Sequence, residues 1–374
     1  MPKSMESPWH ILNRSWWEKI GPIIAAHLEG VNYSAGAQYK HLLMLHSATL
    51  PRSCFRLAVE PVGPDAGTEP DPINEHVARQ LLEDLSQIQS GIDFTLFNHL
   101  DNIVALSNHE ARHHWDRIKQ FPSKFQKLIA LDLREISLTA KPYLVPLIKS
   151  IATGVDPLRI MIESIKSFSF WQESPLTFGL SKIDDFIAET KHCLLDPKSF
   201  LAIDSKEPGQ SRVKIYAGTN VTTLTEVYDF WTLGGRLQNE DVEKGFAIVQ
   251  KIWKAIFSMP LPNRMAREYL TFTWNWELSP TNPKPAPKAY FLISEDHDKL
   301  VTEALISLFE ELCWSDHIAT HRRIQELAYP TYDFETCTQV YTWIAVASSK
   351  RQGPTLQYTV ILLHSVYRER GETF

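Results

Sequence analysis

Arg212-Val213-Lys214-Ile215-Tyr216-Ala217 alternates charged or phenolic side chains with apolar ones, as a β-strand with two unlike faces does. Its Lys-x-Tyr core recurs as Lys141-Pro-Tyr143, 73 residues earlier, and as Lys288-Ala-Tyr290, 74 residues later. So regular a step marks an internal repeat, each copy a supersecondary unit. Before each copy runs a second apolar, β-branched or aromatic stretch. Lys127–Leu133 precedes Leu138–Val145, Ser199–Ile203 precedes Arg212–Ala217, and Tyr269–Trp276 precedes Lys288–Ile293. Each pair is predicted to be a β-hairpin.

Between the hairpins lie segments with helical spacing, such as Val242–Phe257 (Val242, Phe246, Val249, Ile252, Trp253, Ile256) and Leu300–Cys313 (Leu300, Ala304, Leu305, Leu308, Leu312). One further repeat step lands near Ile361, inside a fourth hairpin made of Val340–Ala347 and Leu356–Leu363. At the other end, Trp16–Leu28 and Ala37–His46 are predicted helices, followed by one strand, Cys54–Glu60, with no strand before it to pair with. The expected fold is α+β: an antiparallel β-barrel of repeated α-β-β-α units ringed by helices, with about nine strands, open or irregular at the first repeat. Closure would remove exposed edges, but an odd number of strands in strict up-and-down order cannot pair its two ends antiparallel. Pro61–Pro72, Ser279–Pro287 and Ser348–Pro354 have linker-like composition, yet the repeat runs across them. Residues 1–374 are therefore expected to form one barrel domain.

Residues two apart on a strand share a face, so the lysine and tyrosine of each copy are expected to point into the barrel lumen together. Lys141, Lys214 and Lys288, joined by Arg212 and by Arg56 on the lone first strand, would repel one another in such a poorly screened space. A cluster of that kind calls for an anion, and diphosphate suits both arginine forks and lysine point charges. The adjacent Tyr143, Tyr216 and Tyr290 offer ring faces that stabilise a cation. Together these describe a site for an allylic diphosphate, with cations drawing off the leaving group while tyrosines shield the carbocation from water.

These residues carry a resemblance to the dimethylallyltryptophan synthase family, the fungal aromatic prenyltransferases with a barrel of five α-β-β-α repeats. The similarity runs from Trp16-Trp17 and His41-Leu42-Leu43 to the last hairpin. Its most specific pieces are Phe55-Arg56-Leu-Ala-Val-Glu60-Pro61-Val-Gly63 with Asp71-Pro-Ile-Asn74, Ala130-Leu-Asp132-Leu with Lys141-Pro-Tyr143, Arg212-Val-Lys214-Ile-Tyr216, Thr232-Leu-Gly-Gly235 and Pro287-Lys288-Ala-Tyr290. The resemblance implies that Arg56, Lys141, Arg212, Lys214 and Lys288 bind diphosphate, that Tyr143, Tyr216 and Tyr290 form the cation shield, and that no metal or other cofactor takes part. The chain departs from the family pattern in two places. Family members carry a strand with a proton-accepting glutamate between the His-Leu-Leu helix and the Phe-Arg strand. Here Leu50-Pro-Arg-Ser53 runs straight into Cys54-Phe55, leaving no residue to inherit that role. Losing a general base typically costs about 10² to 10⁴-fold in rate. Glu60, followed by proline, is expected to be a loop-edge residue, and Lys127 is the remaining candidate for a proton acceptor. The final shield motif also has Ile361 where the family has tyrosine.

The bulk properties agree with a globular enzyme. Of 374 residues, 44% are hydrophobic and 22% charged, and a net charge of −6 gives no global field for nucleic acid or an acidic membrane. Cys54, Cys193, Cys313 and Cys337 are far apart and form no C-x-x-C pair, which points to a reducing, cytoplasmic setting without a disulfide framework. Met1–Trp17 lacks an apolar signal region, and no run of 18 uncharged apolar residues follows. His109-Glu-Ala-Arg-His113 satisfies H-E-x-x-H but lacks a third ligand at any known spacing, and Asp184-Asp185 with Glu189 misses the D-D-x-x-D pattern. Both are expected to be ordinary helix faces. The expected activity is transfer of an isoprenyl group from an allylic diphosphate to an aromatic or other nucleophilic acceptor in fungal secondary metabolism, by a monomer or homodimer. The expected partners are that diphosphate and an aromatic, polyketide-like or terpenoid-like small molecule. The alternative is a prenyltransferase fold reused as a cyclase or pericyclase without diphosphate, or a non-catalytic relative.

Overall fold

The period-two alternation becomes, in the computed structural model, one antiparallel sheet whose strands follow chain order. The structure describes residues 57–360 except 89, 134–137, 258–269, 294–297, 330–331, 337–339 and 350–352. The strands are β1 (Leu57–Val59), β2 (Lys127–Leu133), β3 (Leu138–Leu144), β4 (Leu194–Ile203), β5 (Val213–Val221), β6 (Leu270–Ser279), β7 (Asn282–Leu292), β8 (Tyr341–Ser349) and β9 (Gly353–Val360). Among the described residues they form four hairpins preceded by one short strand, paired to β2 through Leu57↔Leu131 and Ala58↔Ala130. Among the described residues no pairing joins β9 to β1, so the curled sheet is open at the shortened first repeat. The helices expected over Trp16–Leu28 and Ala37–His46, the residues Cys54 to Arg56, and Ile361 lie outside the described residues.

Of the strands that extend further than expected, two do so for a clear reason of pairing. β4 starts at Leu194 because pairing with β5 resumes there, beyond a register slip between Leu195 and Phe200. Pro197 lies in that slip, where a residue without an N–H costs the ladder little. The linker-like stretch Ser279–Pro287 is largely strand: β7 runs through Pro283, Pro285 and Pro287. Pairing of β7 with β8 begins only at Lys288↔Ala347, so these prolines occupy a half-strand paired to β6 alone.

Between hairpins the chain forms helices against the outer face of the sheet. Those framing the site are α1 (Val77–Ile88), α2 (Thr95–Val104), α3 (Asn108–His113), α4 (Trp115–Ile118), α5 (Leu147–Thr153), α6 (Pro157–Lys166), α7 (Leu176–Glu189), α8 (Leu224–Thr232), α9 (Glu240–Ile252), α10 (Asp298–Glu311) and α11 (Ser315–Ala328). Local chemistry sets their ends: Asp156 caps α6 ahead of Pro157, Thr223 and Glu226 form a reciprocal capping box on α8, and Asn239 caps α9. The Thr232-Leu-Gly-Gly235 motif terminates α8 in three successive left-handed residues, with φ of 53° at Leu233, 63° at Gly234 and 81° at Gly235. The two glycines suit this turn because an L side chain resists it.

The alternation separates two apolar environments. Ile129, Leu131, Leu144, Ile215, Trp274, Trp276 and Phe291 point outward into one continuous core with Leu100, Met161, Phe186, Phe230 and Val249 of the helices. Ala130, Tyr143, Ala202 and Tyr216, flanked by Leu128, Phe200 and Tyr290, form a second, smaller cluster on the inner face. Burying the outer face thus dictates which residues line the lumen. Among the described residues no helix is long and apolar enough to cross a membrane.

Candidate active site

Strand pairing places the predicted residues in two tiers on the inner face. Asn275 stands opposite both Tyr216 and Lys288, Thr273 opposite Tyr290, and Lys214 opposite Glu277. Tyr143 and Tyr216 have ring centroids 6.0 Å apart, and Tyr216 and Tyr290 are also 6.0 Å apart. The three tyrosines from three hairpins therefore form a continuous arc. Phe200, which the sequence did not single out as a site residue, stacks on Tyr216 at 4.2 Å and stands 5.9 Å from Tyr143. Its place next to Lys-x-Tyr becomes visible only in the register Phe200↔Tyr216. Lys288 directs Nζ over the Tyr290 ring at 4.7 Å, a cation–π contact within one strand.

The cationic tier differs from expectation in its charge balance. Lys141 and Lys214 are buried, but with Arg212 they are interleaved with carboxylates instead of left to repel one another. Lys141 Nζ pairs with Asp132 and lies 3.8 Å from Asp204 Oδ1. Arg212 Nε donates to Asp204 Oδ2 at 2.7 Å, and Nη1 donates to Glu277 Oε1 at 3.1 Å and Oε2 at 3.2 Å. Lys214 Nζ stands 3.5 Å from Glu277 Oε2. The expected mutual repulsion is thereby removed: three acids, Asp132, Asp204 and Glu277, hold three bases in position. Burial alone would raise the pKa of Asp204, but Lys214, Arg212 and Lys141 outweigh it and hold the carboxyl below the usual aspartate value. Burial likewise opposes the charge on Arg212, and Glu277 with Asp204 overcomes it, so its pKa is raised. Of the three acids only Asp132 sits in a motif the sequence singled out; Asp204 and Glu277 gain their partners from cross-strand register.

Arg56 lies outside the described residues. Lys127 requires a correction. It begins β2 in phase with Ile129 and Leu131, on the helix-facing side and not in the lumen. Its Nζ pairs with Asp101 Oδ1 at 2.9 Å and donates to the Glu75 carbonyl at 3.0 Å, with both side chains buried. An ammonium held this way is a structural tie between sheet and helices, not a base facing a ligand. Glu60, just past β1, is exposed.

The competing motifs resolve into local structure. Glu110 of the H-E-x-x-H stretch closes a capping box with Ser107 on the short helix α3 and pairs with Lys149 at 2.6 Å. Asp184 accepts from Arg159 at 3.1 Å and Lys166 at 2.8 Å on a helix surface. Among the described residues no group of histidine, cysteine, aspartate and glutamate could hold a metal ion.

Comparison with known proteins fits this geometry. The family model described as tryptophan dimethylallyltransferase matches residues 13–52 and 51–323. The two matched segments meet where Leu50-Pro-Arg-Ser53 replaces the longer family segment. Tryptophan dimethylallyltransferase 1 of Epichloe coenophiala is 25% identical over 402 aligned positions, covering 94% of this chain and 89% of that protein. An alignment longer than the 374-residue chain means that this chain carries gaps in it. Echinulin prenyltransferase 1 of Aspergillus ruber is 26% identical, with 91% of each chain covered. Among solved structures, AnaPT from Neosartorya fischeri superposes with a TM-score of 0.81 at 23% identity, covering 96% of this chain and 98% of that one. NotF in complex with brevianamide F and DMSPP gives 0.79 at 23% identity, covering 94% and 98%. These structural likenesses establish the prenyltransferase barrel as the fold.

Proposed function

This chain belongs to the tryptophan dimethylallyltransferase family and is an aromatic prenyltransferase-type enzyme, and on that premise we propose how its own residues move an isoprenyl group from an allylic diphosphate to an aromatic acceptor. Lys141, Arg212, Lys214 and Lys288, with Arg56, bind the diphosphate; Tyr143, Tyr216 and Tyr290 hold the allylic cation released from it. The observation that carries this assignment is the direct adjacency of the two tiers on β5, where Lys214 and Tyr216 share the inner face and Arg212 just before the strand joins Lys214 at Glu277. Ionisation of the allylic C–O bond leaves negative charge on the diphosphate and positive charge on the prenyl group. A cationic tier stabilises the first and ring faces the second, each where it develops.

The carboxylates of Asp132, Asp204 and Glu277 hold the bases in position before substrate arrives. Diphosphate then takes over part of their partnership, so the cradle is preorganised and not assembled around the ligand. The NotF complex contains brevianamide F and DMSPP, and the curated relatives are named for tryptophan or echinulin. We take the acceptor of this chain to be of that indole class, bound beyond the tyrosine arc. The continuous sheet from β1 to β9 also favours one barrel domain over the whole chain.

The test is incubation of purified protein with dimethylallyl, geranyl and farnesyl diphosphates and a panel of indoles and phenols, followed by mass analysis for prenylated product. The proposal expects one combination to give product and Lys214→Ala to abolish diphosphate binding. No diphosphate binding at millimolar concentration, together with turnover of a substrate by Lys214→Ala at the wild-type rate, would instead identify a cyclase working without diphosphate.

A further inference from the structure

A further lysine faces the lumen, on the far side of the tyrosine arc from the cationic tier. On β5 the inner face reads Lys214, Tyr216, Gly218, so Gly218 lies one strand repeat, about 7 Å, beyond the arc and away from the cationic tier. The side chain of Lys198 covers that glycine: a Cβ built on Gly218 would stand 2.4 Å from Lys198 Cβ and 2.9 Å from its Cδ. Lys198 emerges from the β4 register slip and reaches to β8, placing Nζ 6.0 Å from the ring centroid of Trp343. Trp343 stands opposite Leu292, two residues past Tyr290 on the same face. Lys198 therefore spans the lumen on the acceptor side of the arc.

Its environment also differs from that of Lys141 and Lys214. Among the described residues no carboxylate forms an ion pair with Lys198, whereas Lys141 and Lys214 both have acidic partners. The ionisable groups on the inner face of β5 are Lys214 and Tyr216, and β8 presents Trp343, Ala345 and Ala347 there. The nearby acid of its own strand, Asp196, is exposed. Burial lowers the pKa of Lys198, increasing the fraction of free amine near neutrality. With no residue expected to inherit the family's glutamate, the proton released by the acceptor needs another destination.

Resting on the prenyltransferase reading, we propose that Lys198 is the catalytic proton acceptor of this chain. An allylic cation held by the arc is attacked from the side opposite the departing diphosphate, which is where Lys198 lies. The allylic C–O bond breaks with its electron pair leaving on diphosphate, and a ring π pair of the acceptor forms the new C–C bond. The ring proton then passes to the Nζ lone pair, and the C–H electron pair restores aromaticity.

The test compares wild type, Lys198→Met and Lys198→Arg with dimethylallyl diphosphate and, as acceptors, L-tryptophan and brevianamide F, measuring kcat, KM, diphosphate affinity and melting temperature. The expected result is a loss of about 100-fold or more in kcat for both variants, with diphosphate affinity and melting temperature unchanged. In the wild type kcat/KM rises with pH to a plateau as the amine deprotonates, and both variants lose that limb. Arginine retaining wild-type kcat, or methionine doing so, overturns the proposal while leaving the prenyltransferase reading intact. Wild-type protein that makes no prenylated product from either acceptor overturns both.

Discussion

Replacing Asp204 with asparagine tests whether the carboxylates of the cationic tier hold the bases in place. Asp204 is buried, accepts from Arg212 at 2.7 Å and lies 3.8 Å from Lys141. Breaking a buried ion pair costs about 3–5 kcal/mol. Arg212 retains Glu277 and Lys141 retains Asp132, so the lower end, about 3 kcal/mol, applies. With an unfolding entropy of about 2.1 cal/mol/K per residue over 374 residues, that loss lowers the melting temperature by ~4 °C. The same substitution removes a negative charge from the place diphosphate must enter. At an effective dielectric of about 20, one unit charge a few ångströms away contributes several kcal/mol, so inorganic diphosphate should bind Asp204→Asn at least about tenfold more tightly than wild type. Scanning fluorimetry with and without inorganic diphosphate reads both effects: a lower melting temperature without the anion and a larger stabilisation with it. A variant that melts at the wild-type temperature and binds diphosphate no more tightly would refute the idea of a self-neutralised cradle. Because the native pKa of Asp204 lies below its unfolded value, its contribution is complete above about pH 4 and is lost as pH falls through the native pKa.

Three further outcomes follow from particular contacts. Tyr216→Ala opens the middle of the arc; losing a desolvated ring–cation contact of about 2 kcal/mol should raise the ratio of prenyl alcohol to prenylated acceptor by ~30-fold, measured by product chromatography. His321 is buried between α11 and β8, 3.1 Å from the Tyr341 hydroxyl, and burial lowers its pKa to about 4. The unfolded chain therefore binds the proton first, so about 3 kcal/mol of stability present above pH 6.5 is lost between there and about pH 4. His321→Phe should flatten that part of the stability–pH curve, as measured by urea titration at several pH values. Lys127→Met leaves Asp101 buried with Arg79 as its remaining partner, so it should lower the melting temperature without changing the pH dependence of kcat, whereas a proton acceptor would alter the profile.

The Lys-x-Tyr repeats made the architecture legible because a strand's two faces differ chemically in a way that survives in local sequence: Val213, Ile215 and Ala217 join the core shared with the helices while Lys214 and Tyr216 share the inner face. Where pairing partners set the outcome, the sequence was silent. The prolines of β7 read as a linker until β8 is seen to stop short of them, and Phe200 joins the arc only through a slipped register. Lys127 shows how fine the distinction is, since it differs from the lumen-facing Leu128 by one position yet points into the helix layer. The carboxylates escaped notice for a related reason. Cations clustered in sequence motifs suggest an unfilled anion site, but whether they repel depends on what neighbouring strands place beside them, and Glu277 reaches Lys214 only across the β5–β6 ladder. That pairing changes what substrate binding must accomplish. Diphosphate enters not an empty well of positive charge but an occupied network, and its affinity is the difference between its own contacts and those it displaces. A site built this way discriminates by charge density: a singly charged anion gains too little to separate Arg212 from Asp204 and Glu277, whereas a diphosphate can engage several bases at once.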